Sequence, residues 1–314
     1  MTSSDNAGPR ASERVLDDKS TTLEPLICAH HHADETAMPP PVRLQFWFEY
    51  NSLYSYVAAV RIHRTLACQV KATPRQPLPR GVLKTQGPLS VDFCPFLLGP
   101  VFQANHGQPR GPIMTNPVRS NYAVRDVQRI CQQEHIPFHG YPSSDTPEPI
   151  NSVLASRLTL LLLQCVQPAN SSDRCPVLAP HHQYLVSLWV TTVYAAFFVN
   201  HRDVGKPKVL EELLVQILPQ WLPALDQTTW DRALLGLASD QPLPAIPNLA
   251  GLLVQTAQTS APLKAQLKAQ TDEAMAQGLF GAPSFVTADG ELFWGNDRLD
   301  QAVQWPWSLK SAHL

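Results

Sequence analysis

Three short stretches of this chain place polar groups where they could manage a reactive sulfur and the two ends of a small peptide. The first holds Ser52, which follows an apolar run from Val42 to Tyr50 and precedes residues with helical spacing. A serine at that junction sits at or near a helix N-cap, where unpaired N–H groups and the positive end of the dipole form an anion site. A thiolate bound there gains the dipole and a hydroxyl donor, which keeps it ionised near neutral pH without a metal or a histidine. Capping the helix is the competing role for this serine, and serine is among the commonest N-caps. The second stretch is Ala282-Pro283, directly after Gly281 at the start of a strand. Proline has no N–H for a central ladder, so a cis bond is expected, and the backbone of Ala282 is left to hold an extended peptide as an added strand. In the third, Trp294-Gly295-Asn296-Asp297-Arg298, Asp297 begins a helix and could either cap it or receive an ammonium group.

These residues need a scaffold, and the hydrophobic periodicity supplies one. Val42 to Tyr50 reads as a strand covered on both faces, and from Leu53 the positions of Tyr56, Val57, Val60 and Leu66 fall on one helical face. Gln69 to Thr73 is a candidate second strand, and Pro74 to Ser90 a loop rich in Pro and Gly. From Phe93 to about Ser260 the signals are helical, with segments at Tyr122 to Glu134, Ile150 to Val166, Tyr184 to Asn200, Val209 to Leu218 and Thr229 to Ala238. Tyr141 to Pro149 and Gln167 to Pro180 are polar interruptions between those helices. The helix Leu263 to Ala276 ends at Gly278, after which Pro283 to Thr287 and Glu291 to Trp294 flank an Asp289-Gly290 turn, a hairpin signal. A last helix begins near Asp297. The expected class is α/β: a small αβ domain in two pieces, 41–92 and 263–314, split by an all-helical insertion at 93–262 and preceded by a polar tail over 1–40.

Composition narrows the partners. The chain has 314 residues, 44% hydrophobic and 16% charged, and its 24 Lys+Arg against 26 Asp+Glu give a net charge of −2. Such a balance offers no electrostatic footprint for nucleic acid or an anionic membrane surface, and the apolar fraction is too high for a disordered chain. The best apolar run, Tyr184 to Val199, is too short to span a membrane and is broken by Ser187, Thr191 and Thr192. Six widely spaced cysteines contain no Cys-x-x-Cys pair, against both a zinc ribbon and a dithiol redox centre, and suit a reducing compartment. Neither a secretory signal nor a transit peptide fits Met1 to Asp34, so a cytoplasmic location is expected; Ala312-His313-Leu314 follows the small-basic-Leu pattern of a peroxisomal address, relevant if the source is eukaryotic. His30-His31-His32 beside Cys28 lies in the polar tail, and consecutive histidines do not share a face, so a solvated tail is preferred to a metal site. The aromatic series Tyr184, Trp189, Tyr194, Phe197 and Phe198 is expected in the core, with part of it free to reach a pocket.

Phe48-Glu49-Tyr50-Asn51-Ser52-Leu53-Tyr54-Ser55-Tyr56 resembles the "DFxSPYSY" opening of the 2-hydroxychromene-2-carboxylate isomerases and kappa-class glutathione transferases, which share a DsbA-like thioredoxin fold. Further segments resemble the same family in order, including Pro95 to Phe102, Asn121 to Asp126, Ile150-Asn151-Ser152 with Arg157, Gly278 to Phe285 and Glu291 to Leu299. The resemblance implies reduced glutathione as a cofactor-like thiol, with Ser52 the catalytic residue that holds its sulfur without being the nucleophile. It further implies a binding set of Ser52, Tyr54, Asn105, Arg119, Ala282, Pro283, Asn296 and Asp297. In it Ala282 pairs with the cysteinyl backbone, Asn296 and Asp297 hold the γ-glutamyl end, and Arg119 stands in for a lysine near the glycyl carboxylate. A homodimer and an unsaturated, aromatic ketoacid substrate are implied as well. Leu53 departs from the family by replacing the proline after the active serine, where proline's fixed φ pre-organises a helix start.

Two other functions share these features. A kappa-type transferase or peroxidase would use the same thiol site, and a non-catalytic thioredoxin-fold protein would bind peptides along the cis-proline groove with Ser52 only a cap. Disulfide oxidoreductase chemistry is excluded, because Ser52 and Ser55 occupy the places of both redox cysteines.

Overall fold

A computed structural model describes residues 39–71, 78–142, 150–166, 178–223, 235–238 and 241–311. At its centre is a four-stranded mixed sheet in the order β2-β1-β3-β4, formed by β1 (Val42–Phe48), β2 (Leu89–Pro95), β3 (Ser284–Thr287) and β4 (Leu292–Trp294). β1 and β2 run parallel, joined through α1 (Leu53–Lys71), and β1 pairs antiparallel with β3, which hairpins into β4. The near-continuous apolar run of β1 follows from its place between two neighbours with both faces covered. Leu44, Phe46 and Phe48 enter the main core, where Phe46 stacks on Phe285 with ring centroids 5.6 Å apart, while Trp47 points to the other face among Phe96, Val101 and Leu279.

Between β2 and the final strands lie α2 (Leu98–His106), α3 (Pro112–Thr115), α4 (Pro117–Glu134), α5 (Val153–Cys165), α6 (Pro180–Phe198), α7 (Pro207–Trp221), α8 (Ile246–Thr259) and α9 (Ala261–Ala276). α6 lies along α1 and carries Trp189, Tyr194, Phe197 and Phe198, all fully buried, so the aromatic series is core. No described helix is long and apolar enough to cross a membrane. The chain closes with a 3-10 turn at Asn296–Arg298 and α10 (Leu299–Ser311) against β3.

The second strand is the main correction. Gln69 to Lys71 continue α1, Thr73 falls outside the described residues, and the parallel neighbour of β1 is Leu89–Pro95. Asp92 and Pro95 hid that strand in the sequence. Pro95 closes it, and Asp92 lies at the sheet with its carboxylate 3.0 Å from Arg43 Nε. β2 therefore runs across the expected 92/93 boundary. Most of the expected helix Thr229 to Ala238, the two polar interruptions and the amino-terminal tail, histidines included, also fall outside the described residues.

Candidate active site

The turn between β1 and α1 fixes Ser52. Its backbone N–H donates to Glu49 O at 2.9 Å, its carbonyl accepts from Tyr56 at 3.1 Å, and its Oγ accepts from the Ser55 N–H at 3.2 Å. These bonds make Ser52 the N-cap of a 19-residue helix. The hydroxyl does more than cap, since its own proton goes across the molecule to Ala282 O at 2.9 Å. The Ala282-Pro283 bond is cis, and no described residue accepts from the Ala282 N–H. One hydroxyl thus lies between a helix amino terminus and the peptide edge before Pro283.

These groups form part of the wall of a cavity of about 1060 Å³. Asn296 and Asp297 line the same cavity. Asp297 does not cap a helix: the cap position of the 3-10 turn is Gly295, at φ +105°, and the Asp297 carboxylate stays 73% exposed with Arg298 3.8 Å away. A side chain at Gly295 would put its Cβ 2.4 Å from Asp297 Oδ1, so both the backbone conformation and the carboxylate's placement require glycine. Asn296 is buried, and its Oδ1 has no partner, an acceptor left for a donor at this end of the cavity. Tyr54 lines the wall too, its hydroxyl donating to Asp126 Oδ2 at 3.0 Å; burial and the neighbouring carboxylate raise its pKa and keep it neutral.

Glu49 and Asn51 carry no assigned role in the sequence, yet both line the cavity. Glu49 is only 3% exposed. Its carboxyl accepts from the Asn51 N–H and from Asn51 Nδ2, each at 2.9 Å, and bonds to Ser152; burial pushes its pKa up despite these bonds. The detectable signal was an acid inside an apolar strand run.

The opposite wall comes from the helical region. Leu98 and Phe102 of α2, Ile113 and Met114 of α3 and Ile130 of α4 supply apolar surface; Arg119, on the exposed first turn of α4, adds a cation beside them. Asn116 caps that turn by accepting from Val118 and Arg119 N–H groups at 3.0 and 3.2 Å. At the mouth Phe280 and Trp294 meet with ring centroids 4.8 Å apart, and Trp294 is 52% exposed.

Of the expected set, Ser52, Tyr54, Arg119, Ala282, Pro283, Asn296 and Asp297 all border this one cavity. Asn105 does not join them. It is exposed near the end of α2 and absent from the wall, because the helix turns Phe102 and His106 toward the cavity instead. None of the four described cysteines, Cys68, Cys94, Cys131 and Cys165, lines it, and no described cluster of His, Cys, Asp or Glu could hold a metal ion.

No protein-family model matches the chain, and no curated protein sequence matches it. Among solved structures, a probable DsbA oxidoreductase from Streptomyces coelicolor is 16% identical with a TM-score of 0.50, covering 85% of this chain and 90% of its own. A 2-hydroxychromene-2-carboxylate isomerase is 18% identical at TM-score 0.48, covering 86% and 94%. A putative protein disulfide isomerase from Nitrosomonas europaea is 12% identical at TM-score 0.49, covering 87% and 99%. With the sheet order, the cis-proline and the first of these likenesses in agreement, the chain has a DsbA-like α/β thioredoxin fold into which a helical region is inserted between β2 and the final hairpin.

Proposed function

We propose that this protein is a glutathione-dependent isomerase of the 2-hydroxychromene-2-carboxylate type, acting on an unsaturated aromatic ketoacid. The observation that carries the proposal is the Ser52 hydroxyl, seated on the α1 amino terminus and bonded to the carbonyl before cis-Pro283 at the wall of the cavity. The residues present fit a tripeptide thiol: a hydroxyl donor for sulfur, a backbone edge at Ala282, an orphaned Asn296 Oδ1 with the Asp297 carboxylate for an ammonium end, and the Arg119 cation for a carboxylate. When bound, glutathione supplies a thiolate that adds reversibly to an electron-poor carbon.

The protein's own part is organisation. Ser52 exchanges one acceptor for another: its proton leaves Ala282 O for the sulfur, and Ala282 O becomes available to the cysteinyl N–H. The helix end favours the charged sulfur while the Ser55 N–H continues to hold Ser52 Oγ in place. Donors facing the acceptor stabilise the enolate that develops as the sulfur adds, and a wall of Phe102, Ile113 and Met114 keeps the acceptor's apolar body over the sulfur. Ser52 and Ser55 leave no thiol pair at the helix start, so the disulfide exchange expected of a DsbA-type enzyme has no place here.

A cis-benzylidenepyruvate-type substrate tests the proposal with glutathione at catalytic and then stoichiometric concentration. Turnover without consumption of the thiol supports the isomerase; a stoichiometric sulfur adduct makes the protein a transferase instead, and indifference to glutathione makes it a binding module.

A further inference from the structure

Asn51 immediately precedes Ser52, and every polar position of its side chain is engaged. Nδ2 donates to Glu49 Oε1 at 2.9 Å and to Ile150 O at 3.2 Å, while Oδ1 accepts from the Ile150 N–H at 2.8 Å. The side-chain amide thus pairs with a backbone segment 99 residues away as a strand edge would. Its backbone N–H is held by Glu49 Oε2 at 2.9 Å, and its carbonyl accepts from the Tyr141 hydroxyl at 3.4 Å. Glu49 in turn is anchored by Ser152 at its carboxyl and by the buried Tyr194 hydroxyl at its carbonyl, 2.9 Å away. The first helical residue is Leu53, which lacks the fixed φ that a proline would bring to that position.

We infer that Asn51 is the positioning residue of this site: through Glu49 and the backbone of Ile150 it clasps the Ser52 turn to the helical region and so aims the serine hydroxyl. This inference rests on the proposed glutathione site. The clasp makes the thiol site and the acceptor wall one unit, because Ile150 and Ser152 belong to the segment that leads into α5 while Ser52 belongs to the sheet. A turn without a proline is held from outside rather than by its own backbone.

The test compares the full chain with Asn51→Ala, Asn51→Asp and the exchanged pair Glu49→Gln/Asn51→Asp. Three quantities are read: glutathione affinity by calorimetry, ionisation of the bound thiol by ultraviolet absorbance across pH, and hydrogen exchange of the Ser55 N–H. Asn51→Ala is expected to weaken binding about tenfold, the loss typical of buried hydrogen bonds, with the bound thiol's pKa moving toward its free value and faster exchange at Ser55. Asn51→Asp sets two carboxylates together and is expected to do at least as much damage. In the exchanged pair a Gln amide again donates to position 51, and affinity should return to within about threefold of wild type. Gln183→Ala is the structural control. Gln183 accepts from the Val91 N–H at 2.7 Å and donates to Leu178 O at 2.7 Å, away from the cavity, so its loss should lower the melting temperature and leave both thiol readouts in place.

Unchanged affinity and unchanged thiol ionisation in folded Asn51→Ala would overturn the inference, as would equal damage from Gln183→Ala. If Asn51→Ala does not fold, failure of the exchanged pair to recover what Asn51→Asp loses overturns it. If the wild-type chain binds no glutathione, the proposed function fails, and exchange at Ser55 alone decides the clasp: acceleration in Asn51→Ala sustains it and no change removes it.

Discussion

The two walls of the cavity are built on different principles. On the sheet side, Ser52, Ala282 and Asn296 present backbone groups and short side chains fixed by buried neighbours, and the reacting position is set by hydrogen bonds across the fold. On the helical side, two helices of nine and four residues and the first turn of α4 present Phe102, Ile113, Met114 and Arg119, none of them fully buried. One wall is suited to hold a constant group in one geometry, and the other to accept acceptors of varied shape. Each keeps an aromatic ring against a glycine: a Cβ on Gly281 would lie 2.4 Å from Trp294 Nε1, and one on Gly111 would lie 2.5 Å from Phe102 Cε2.

Removing the serine hydroxyl should separate the walls most sharply. Ser52→Ala is expected to lower glutathione-dependent turnover by roughly a hundredfold, the scale of losing one aimed donor, while the acceptor's binding changes little. Steady-state kinetics with both substrates varied gives the comparison, and an equal loss from Met114→Ala would erase the distinction. The next effect belongs to Gly295→Ala. Its φ of +105° and the Asp297 carboxylate both resist a Cβ, so a stability loss of about 1–3 kcal/mol in denaturant titration should accompany weaker glutathione binding.

Smaller and confined to the helical wall, Met114→Ala is expected to change the preference between large and small acceptors by about tenfold with glutathione affinity intact. Gly111→Ala, by displacing the Phe102 ring, should act in the same direction. A change in glutathione affinity from either would show that the walls are not separable.

The smallest effects are in pH dependence, and they again differ by region. Burial raises the Glu49 pKa, so the folded chain holds that proton more tightly than the unfolded one. The group's contribution is complete below the usual carboxylate range and is lost as pH rises through the raised value, so Glu49→Gln should gain melting temperature relative to wild type across that rise. His63 lies at the seam of α1 and α6, its Nδ1 2.8 Å from Ser187 Oγ, and burial lowers its pKa to about 4. Its contribution is present above the ordinary histidine value near ~6.5 and is lost as pH falls toward about 4. His63→Gln should flatten the acid limb of the melting profile without altering glutathione binding.

How much of this was legible in the sequence depends on the distance between cause and effect. Ser52 at a strand-to-helix junction, Pro283 at a strand start and the Asp289-Gly290 hairpin are local signals, each a residue type required by the backbone at that point. β2 was not legible because Asp92, which signals loop or helix surface, is carried in the sheet by Arg43. Asn105 was placed by sequence order through a stretch of Pro and Gly, and order does not say which face of α2 meets the cavity. The helical wall and the Asn51 clasp depend on partners far along the chain, and no window of residues contains both halves.

The most direct test of the central claim is the ionisation of bound glutathione, read by thiolate absorbance across pH in wild type and Ser52→Ala. Saturable binding with the thiol ionised well below its free value in wild type, and restored toward that value in Ser52→Ala, is the predicted result. No saturable binding at millimolar glutathione, or identical ionisation in the two proteins, would contradict it.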